Sequence, residues 1–257
     1  AIQMEPRPIF TEEVQVKATQ ASGKMPVAYT NLTGETLQSR VSGQDLPYLL
    51  VTSPSFVVTS DAGTGIGYTS FRIRGTDMNR INVTVDGIPL NDAESHTTFF
   101  VDQPDLASSA GNIQIQRGVG TSVNGGAAFG ATVNLQTLHL NPEPYGSFQS
   151  SAGSFNTFKN TLSAGTGLIN KKLSLDVRLS KISSDGFIDR ARSDLKSFFV
   201  SAGYYSTNTV LKADIWSGWE ETYQAWNGVP SVRLNNDLQG MKLYEEHGFY
   251  SARETAE

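Results

Sequence analysis

The 257-residue sequence has no cysteine, which excludes a disulfide framework, a thiolate metal site and a cysteine nucleophile. Only three histidines are present, and a protein metal site needs three or four converging ligands, so no metal centre is expected. Basic residues are too few for a nucleic-acid surface: 20 Lys and Arg stand against 25 Asp and Glu, and the net charge is -5. No run of about eighteen apolar residues occurs, which removes a transmembrane helix. The opening residues lack the basic and then apolar order of a signal peptide, so the chain reads as mature, processed or trimmed. Catalytic motifs are missing as well. There is no G-x-S-x-G elbow and no dinucleotide fingerprint, and the glycine-rich stretch 118–130 lacks the Gly-Lys-Ser/Thr of a phosphate loop and leads into a strand. Neither an enzyme nor a cofactor is expected.

What is present is β-patterned. With 38% hydrophobic residues and 24 glycines the chain is globular rather than disordered. Up to about residue 137, short β-type runs at 70–74, 81–86, 112–116 and 131–135 alternate with Gly, Asn and Asp, and 44–50 and 104–110 read as short helical turns. This predicts a compact α+β unit. Pro142 and Pro144 then mark a boundary, because closely spaced prolines cannot continue a ladder.

Beyond them the rhythm changes to strands of about ten residues. In 172–182, Leu173, Leu175, Val177 and Leu179 share one face while Ser174, Asp176, Arg178 and Ser180 share the other. The stretches 196–206 and 210–220 repeat the pattern. Residues 168–171 and 207–208 are tight turns, whereas 184–194 and the chain after Glu221 are longer. Short turns at one end and long loops at the other are the arrangement of an outer-membrane barrel, but a soluble antiparallel sandwich or a lipocalin-like cup shows the same alternation and is the commoner source of such a meander. About five strands cannot close an outer-membrane barrel, whose smallest bacterial form has about eight, so on the barrel reading only part of a barrel is expected here.

Three clusters occur in order: Glu13-Val14-Gln15-Val16-Lys17-Ala18; Phe71-Arg72-Ile73-Arg74-Gly75 followed by Val83-Thr84-Val85-Asp86-Gly87-Ile88-Pro89-Leu90-Asn91; and Ile113-Gln114-Ile115-Gln116-Arg117-Gly118 running through Gly130 to Val133-Asn134-Leu135. Together they resemble a TonB box and the plug domain of TonB-dependent outer-membrane receptors of the siderophore type. The resemblance implies a TonB-box segment at 1–22, an α+β plug at 23–140, and at 141–257 the first antiparallel strands and loops of a transmembrane β-barrel that has about 22 strands when complete. Residues 13–18 depart from the commoner V-V-V-T-A form at Gln15 and Lys17. Asp86-Gly87 with Pro89 is a hairpin turn by its own chemistry, and turn formation is the expected role of these residues.

The resemblance also implies the site residues and partners. Glu13, Val14, Gln15, Val16, Lys17 and Ala18 would add a strand to TonB of the inner-membrane complex. Arg74 and Arg117 close their strands and would pair with lumen carboxylates such as Asp176, Asp214 or Glu220. Apical plug loops and the first outer loop would offer Tyr68, Asp77, Met78, Asn79, Asp92, Glu94, His96, Phe99, Phe100 and Trp226 to a ligand, with the Phe99-Phe100 pair either facing it or packing under its loop. His96 has no companions to make it a metal ligand, so iron would arrive already chelated. The implied function is import of a ferric siderophore across the outer membrane of a Gram-negative bacterium, driven by the proton motive force. The implied alternatives are haem, cobalamin, an oligosaccharide or a peptide as cargo, or a non-transporting surface assembly or adhesin barrel. A surface lipoprotein is the further partner kept open, although importers that use one usually carry an added N-terminal sandwich domain that is not seen here.

Overall fold

A computed structural model describes residues 20–21, 26–119, 128–137, 141–206, 208–223 and 230–248. The chain forms two compact units, 1–223 and 224–257.

The first unit begins with a mixed sheet. Strands β1 (Ala28–Thr33), β4 (Ile81–Val85), β5 (Ile88–Pro89), β6 (Ala110–Arg117) and β7 (Ala131–Thr137) lie in the order β1-β6-β7-β4-β5, with β4 and β7 parallel and the other pairs antiparallel. Strands β2 (Phe56–Ser60) and β3 (Thr69–Ile73) form a separate hairpin. The predicted strands at 70–74, 81–86, 112–116 and 131–135 are β3, β4, β6 and β7. The predicted helical turns at 44–50 and 104–110 contain helix α2 (Leu46–Leu49), which follows the five-residue helix α1 (Gly34–Gln38), and a 3-10 turn at Leu106–Ser109. Asp86 and Gly87 both have positive φ, 49° and 84°, and pair Val85 with Ile88 in a two-residue hairpin, as their turn chemistry predicts.

The sheet has two unlike faces. Ile81, Val83, Val85, Ile113, Ile115, Val133 and Leu135 enter one apolar core with Leu46, Leu50, Phe71 and Phe100. The alternate residues Thr84, Gln114, Gln116, Thr132 and Asn134 are buried and polar. Four of them are kept by mutual bonds: Thr84 Oγ1 donates to Asn134 Oδ1 at 2.8 Å and Gln116 Nε2 to Gln114 Oε1 at 2.8 Å, whereas Thr132 Oγ1 has no partner among the described residues. Gln114 also clasps the backbone of Ala21, accepting its N–H at 2.6 Å and donating to its carbonyl at 3.0 Å.

Five long strands follow: β8 (Tyr145–Gly153), β9 (Thr157–Gly165), β10 (Leu173–Ser184), β11 (Ser193–Tyr205) and β12 (Val210–Thr222), an antiparallel meander in sequence order. The register brings Phe148, Leu162, Leu179 and Phe198 into one row across four strands. This apolar face points away from the plug. Leu179 is 50% exposed and Trp219 71%, whereas Ser180, the next residue on the opposite face, is 8% exposed. A soluble sandwich would bury Leu179 and wet Ser180. The strands are therefore barrel strands, apolar toward lipid and polar toward the plug they enclose. Lys181 and Lys196 end the apolar rows, and Trp219 stands beside them in register, as at a membrane interface.

One end of this sheet carries 166–172 and 206–209, the other 154–156, 185–192 and the chain after β12. The second end has the longer loop, as expected, with one exception. Phe155 and Asn156 both have positive φ and close β8 onto β9 in a tight turn.

The second unit differs from the long loop expected after Glu221. It contains helices α3 (Ser231–Leu234) and α4 (Leu238–Glu246), the latter started by the Asp237 carboxylate accepting the Gly240 N–H at 3.0 Å.

The exposed apolar belt makes a prediction. Leu179→Arg should destabilise the strands in a bilayer by about 2–4 kcal/mol, with Ser206→Arg outside the belt as a tolerant control. Urea unfolding from phospholipid vesicles measures this, and equal tolerance of both variants would contradict a lipid-facing β10.

Candidate functional site

Two features of the first unit carry chemistry: the joint between plug and strands, and a cleft at the end that carries the longer loop. The joint centres on Asp105. Its backbone is left-handed, φ 56° and ψ 30°, a conformation Asp tolerates better than most residues, and it starts the 3-10 turn Leu106–Ser109. This turn aims the carboxylate at the inner face of the strands. Lys159 Nζ from β9 donates to Oδ1 at 2.7 Å and Arg178 Nη1 from β10 to Oδ2 at 2.7 Å. The three side chains are 5% exposed or less. Plug hydroxyls complete the shell, Ser108 accepting from Lys159 at 2.6 Å and Ser109 from Arg178 Nε at 3.0 Å. Every charged group here thus has a counter-charge and further hydrogen bonds, which is what burial of ions demands.

A second joint lies at Thr137, the last residue of β7. The Asp86 carboxylate accepts the Thr137 N–H at 3.0 Å and its hydroxyl at 2.6 Å. The Thr137 oxygen in turn receives Lys212 Nζ of β12 at 2.6 Å, and Lys212 pairs with Asp214 at 3.3 Å. Asp86 therefore does more than form its turn. Between the two joints, Trp216 Nε1 donates to Gln103 Oε1 at 2.9 Å.

These contacts differ from the expected pairing. Arg74 and Arg117 form no ion pair among the described residues. Arg74 Nη1 donates weakly to the Arg117 carbonyl at 3.5 Å and Arg117 Nη1 to Thr30 Oγ1 at 2.5 Å, so both bonds stay within the plug. The joint has the opposite sign, a plug carboxylate between wall cations. Arg178 was legible as a charge in the middle of a polar strand face; Asp105 and Lys159 gave no local signal. Of the carboxylates named for the arginines, Asp214 meets Lys212, and both Glu220 oxygens are buried without a hydrogen-bond partner among the described residues.

Asp45, just before α2, is another buried carboxylate. It accepts the Thr69 hydroxyl at 2.9 Å. Burial pushes its pKa well above the usual carboxylate range, the Thr69 bond offsets this in part, and the charges of Glu220 and Asp105 push it further up.

The cleft lies between residues 61–70 and 97–101. Loop 61–68 is tied to the end that carries the longer loop, because the Ala62 carbonyl accepts the N–H of Phe187 at 3.0 Å and of Ile188 at 3.4 Å. The cleft holds about 160 Å³ and brings together four residues expected to bind ligand, Tyr68, Met78, Phe99 and Phe100. They are not alike. Phe99 is exposed, whereas Met78 and Phe100 are core residues that form the cleft's inner wall. Met78 Sδ accepts the Phe71 N–H at 3.3 Å, and the rings of Phe71 and Phe100 lie 6.0 Å apart. Of the Phe99-Phe100 pair, Phe100 packs under its loop and Phe99 is exposed.

The remaining candidates do not line this cleft. Asp77 pairs with Arg72 at 2.7 Å on the surface, and Asn79, Glu94 and His96 are exposed. Asp92 organises its own loop by accepting from Ser95 N at 2.7 Å, Ser95 Oγ at 2.8 Å and Glu94 N at 3.1 Å. The Ser95 backbone bond is the main reason its carboxyl lies below the usual range. Asn91 sews this loop to β4, donating to the carbonyls of Ile81 at 2.9 Å and His96 at 2.8 Å and accepting from Val83 N at 2.9 Å. Residues 13–18 and Trp226 lie outside the described residues.

A plug with its own core, fixed by polar contacts to the inner face of lipid-facing strands, defines a plugged β-barrel of the outer-membrane type. Residues 22–132 match the TonB-dependent Receptor Plug Domain, and this part of the chain is a plug of that type. Solved structures agree with the fold. FpvA of Pseudomonas aeruginosa, bound to heterologous pyoverdines, matches over 77% of this chain and 26% of its own at 16% identity, TM-score 0.61. The ferric yersiniabactin uptake receptor FyuA of Yersinia pestis matches over 76% and 31% at 16% identity, TM-score 0.58. The copper transporter OprC matches over 77% and 32% at 19% identity, TM-score 0.61. The chain therefore spans about a quarter to a third of the length of these receptors. No curated protein matches it.

Two predictions follow from the buried carboxylates. Asp105→Asn leaves two buried cations without a counter-charge and should loosen the plug by about 3–5 kcal/mol. Protease cleavage within 106–137, measured in the folded receptor, should rise steeply, and unchanged protection would show that the joint does not hold the plug. Asp45 has a folded pKa above its unfolded value of about 3.9, so the stability it contributes is full below that pH and is lost as pH rises through the folded pKa. Asp45→Asn should therefore stabilise the plug at neutral pH and flatten its decline above about pH 4, as read from urea midpoints across pH.

Proposed function

We propose that the chain is part of a transporter, not an enzyme, in the outer membrane of a Gram-negative bacterium, importing a ferric siderophore when TonB pulls on residues 13–18. The observation that carries this reading is the inverted strand sheet, apolar outside and polar inside, closed over a plug that is held by a few discrete polar contacts. Such a plug seals the pore yet can be displaced, because among the described residues its apolar contact with the wall is small, the cluster of Ile66, Ile182 and Leu195 and the packing of Trp216 on the plug core. Energy would enter mechanically through the TonB complex, with the membrane lipids as the other partner of the strands. The division into a TonB-box segment (1–22), a plug (23–140) and barrel strands (141–257) belongs to this reading.

Support for iron comes from relatives whose names include ferric siderophore receptors; OprC, named a copper transporter, keeps other cargo within the same fold. Haem, cobalamin, oligosaccharide or peptide cargo, a lipoprotein partner and a non-transporting surface barrel are decided by uptake measurements. Val14→Pro removes one backbone donor from the docking strand. The variant should abolish growth under iron limitation and energised uptake of labelled ferric siderophore while leaving surface binding intact. Uptake equal to that of the unchanged receptor would overturn docking through residues 13–18, and growth of a gene deletion equal to the parent would remove iron as the cargo.

A further inference from the structure

The chain ahead of β1 is tied to the plug sheet at a point of its own, apart from the strand that follows it. We infer that Gln114 of β6 is where a pull on residues 13–18 enters the plug, and that its hold on Ala21 keeps the edge strand β1 out of the load until the hold gives way. The pull rests on the importer reading above; the load path is read from the hydrogen bonds.

Gln114 is 1% exposed, and its amide is fully engaged. Oε1 accepts the Ala21 N–H at 2.6 Å and Gln116 Nε2 at 2.8 Å, while Nε2 donates to the Ala21 carbonyl at 3.0 Å and to Asn31 Oδ1 at 2.8 Å. A carbonyl oxygen with two lone pairs and an NH₂ group with two donors are all that an amide has, so these partners hold the group in one orientation. Ala21 is buried as well and lies shortly after the docking segment. The clasp therefore grips backbone through both polar groups of one residue.

The register shows what this grip protects. Among the described residues β1 is an edge strand bonded to β6 alone, with Ala28 opposite Arg117 and Asn31 opposite Gln114. The chain thus meets Gln114 twice, first at Ala21 and again at Asn31. With the clasp closed, tension arriving through Gln20 passes from Ala21 into β6, a strand with neighbours on both sides, and the stretch leading to Ala28 is bypassed. The two backbone bonds of the clasp share that load and must break together. With the clasp open, tension reaches Ala28 and peels β1 from β6 one ladder bond at a time. Peeling needs less force, because each bond is loaded alone. On this reading Gln114 is a positioning residue that sets where, and in what order, the plug yields.

Single-molecule force spectroscopy on the complete receptor in a lipid bilayer tests this, pulling through a thiol introduced ahead of the docking segment by Thr11→Cys. With the clasp unchanged, the first event should be release of Ala21, lengthening the tether by up to about 25 Å, the reach of the chain from Ala21 to Ala28. Peeling of β1 should follow. Gln114→Met keeps the length of the side chain and removes both bonds, so this first step should vanish and β1 should yield first. Ala21→Pro removes only the N–H that Oε1 accepts and should lower the force of the step by roughly half, since one of two shared bonds remains. No such step with the clasp unchanged, or the same step at the same force in Ala21→Pro, would overturn the assignment. Ala21→Pro leaves Gln114 and its other partners in place, so it decides the matter even if Gln114→Met disturbs the sheet. The instrument supplies the pull, so these outcomes hold whether or not TonB engages residues 13–18; normal energised uptake by Val14→Pro would instead sink docking through that segment alone.

Discussion

A carboxylate removed from water is tolerated only where opposite charge and hydrogen bonds meet it, and Asp105 imposes that condition on the inner face of the strands. Lys159 and Arg178 come from neighbouring strands and converge on one residue of a short plug turn. The contact fixes height and rotation together, because a carboxylate with two oxygens and two cationic donors has few other ways to be satisfied. Of the wall strands, only β12 adds to the plug's apolar core among the described residues, through Trp216, so folding of the plug and its seating in the wall draw largely on different interactions. An apolar joint of similar area would be tighter and far harder to release.

The strand sheet obeys the same division. Its outward rows from Phe148 to Phe198 are covered by no other element among the described residues, and its inward rows are mostly serines, threonines and ions, with Ile182, Leu195 and Phe199 among them. In water this arrangement would be inside out. In a bilayer the lipid takes the part of a core, and the polar inner face is left free to bind a polar plug.

The cleft and the loops around it show how turn chemistry becomes a site. Asn91 holds loop 92–96 against β4, Asp92 caps its own turn, and the chain then delivers Thr98 and Phe99 beside Tyr68. Asp86 first turns β4 into β5 and then reaches across to the end of β7, where Lys212 joins it through Thr137. Residues that look like loop chemistry thus also set where the plug touches the wall.

The alternation in β10, β11 and β12, the Asp86-Gly87 hairpin and the plug strands β3, β4, β6 and β7 were legible in the sequence because each is a local pattern of two to thirteen residues. β1 and β2 were not read, since Ala28–Thr33 and Phe56–Ser60 lack a clean alternation of polarity and depend on their neighbours. Helix α4 was passed over as loop because it is short and follows a long polar stretch. Which carboxylate would meet which cation was decided by tertiary structure alone. Asp105 lies 54 residues from Lys159 and 73 from Arg178, separations at which no periodicity carries information. The same holds for the split of Phe99 from Phe100. Sequence fixes the face on which a side chain stands, while its partner and its access to solvent depend on which distant segment folds against that face.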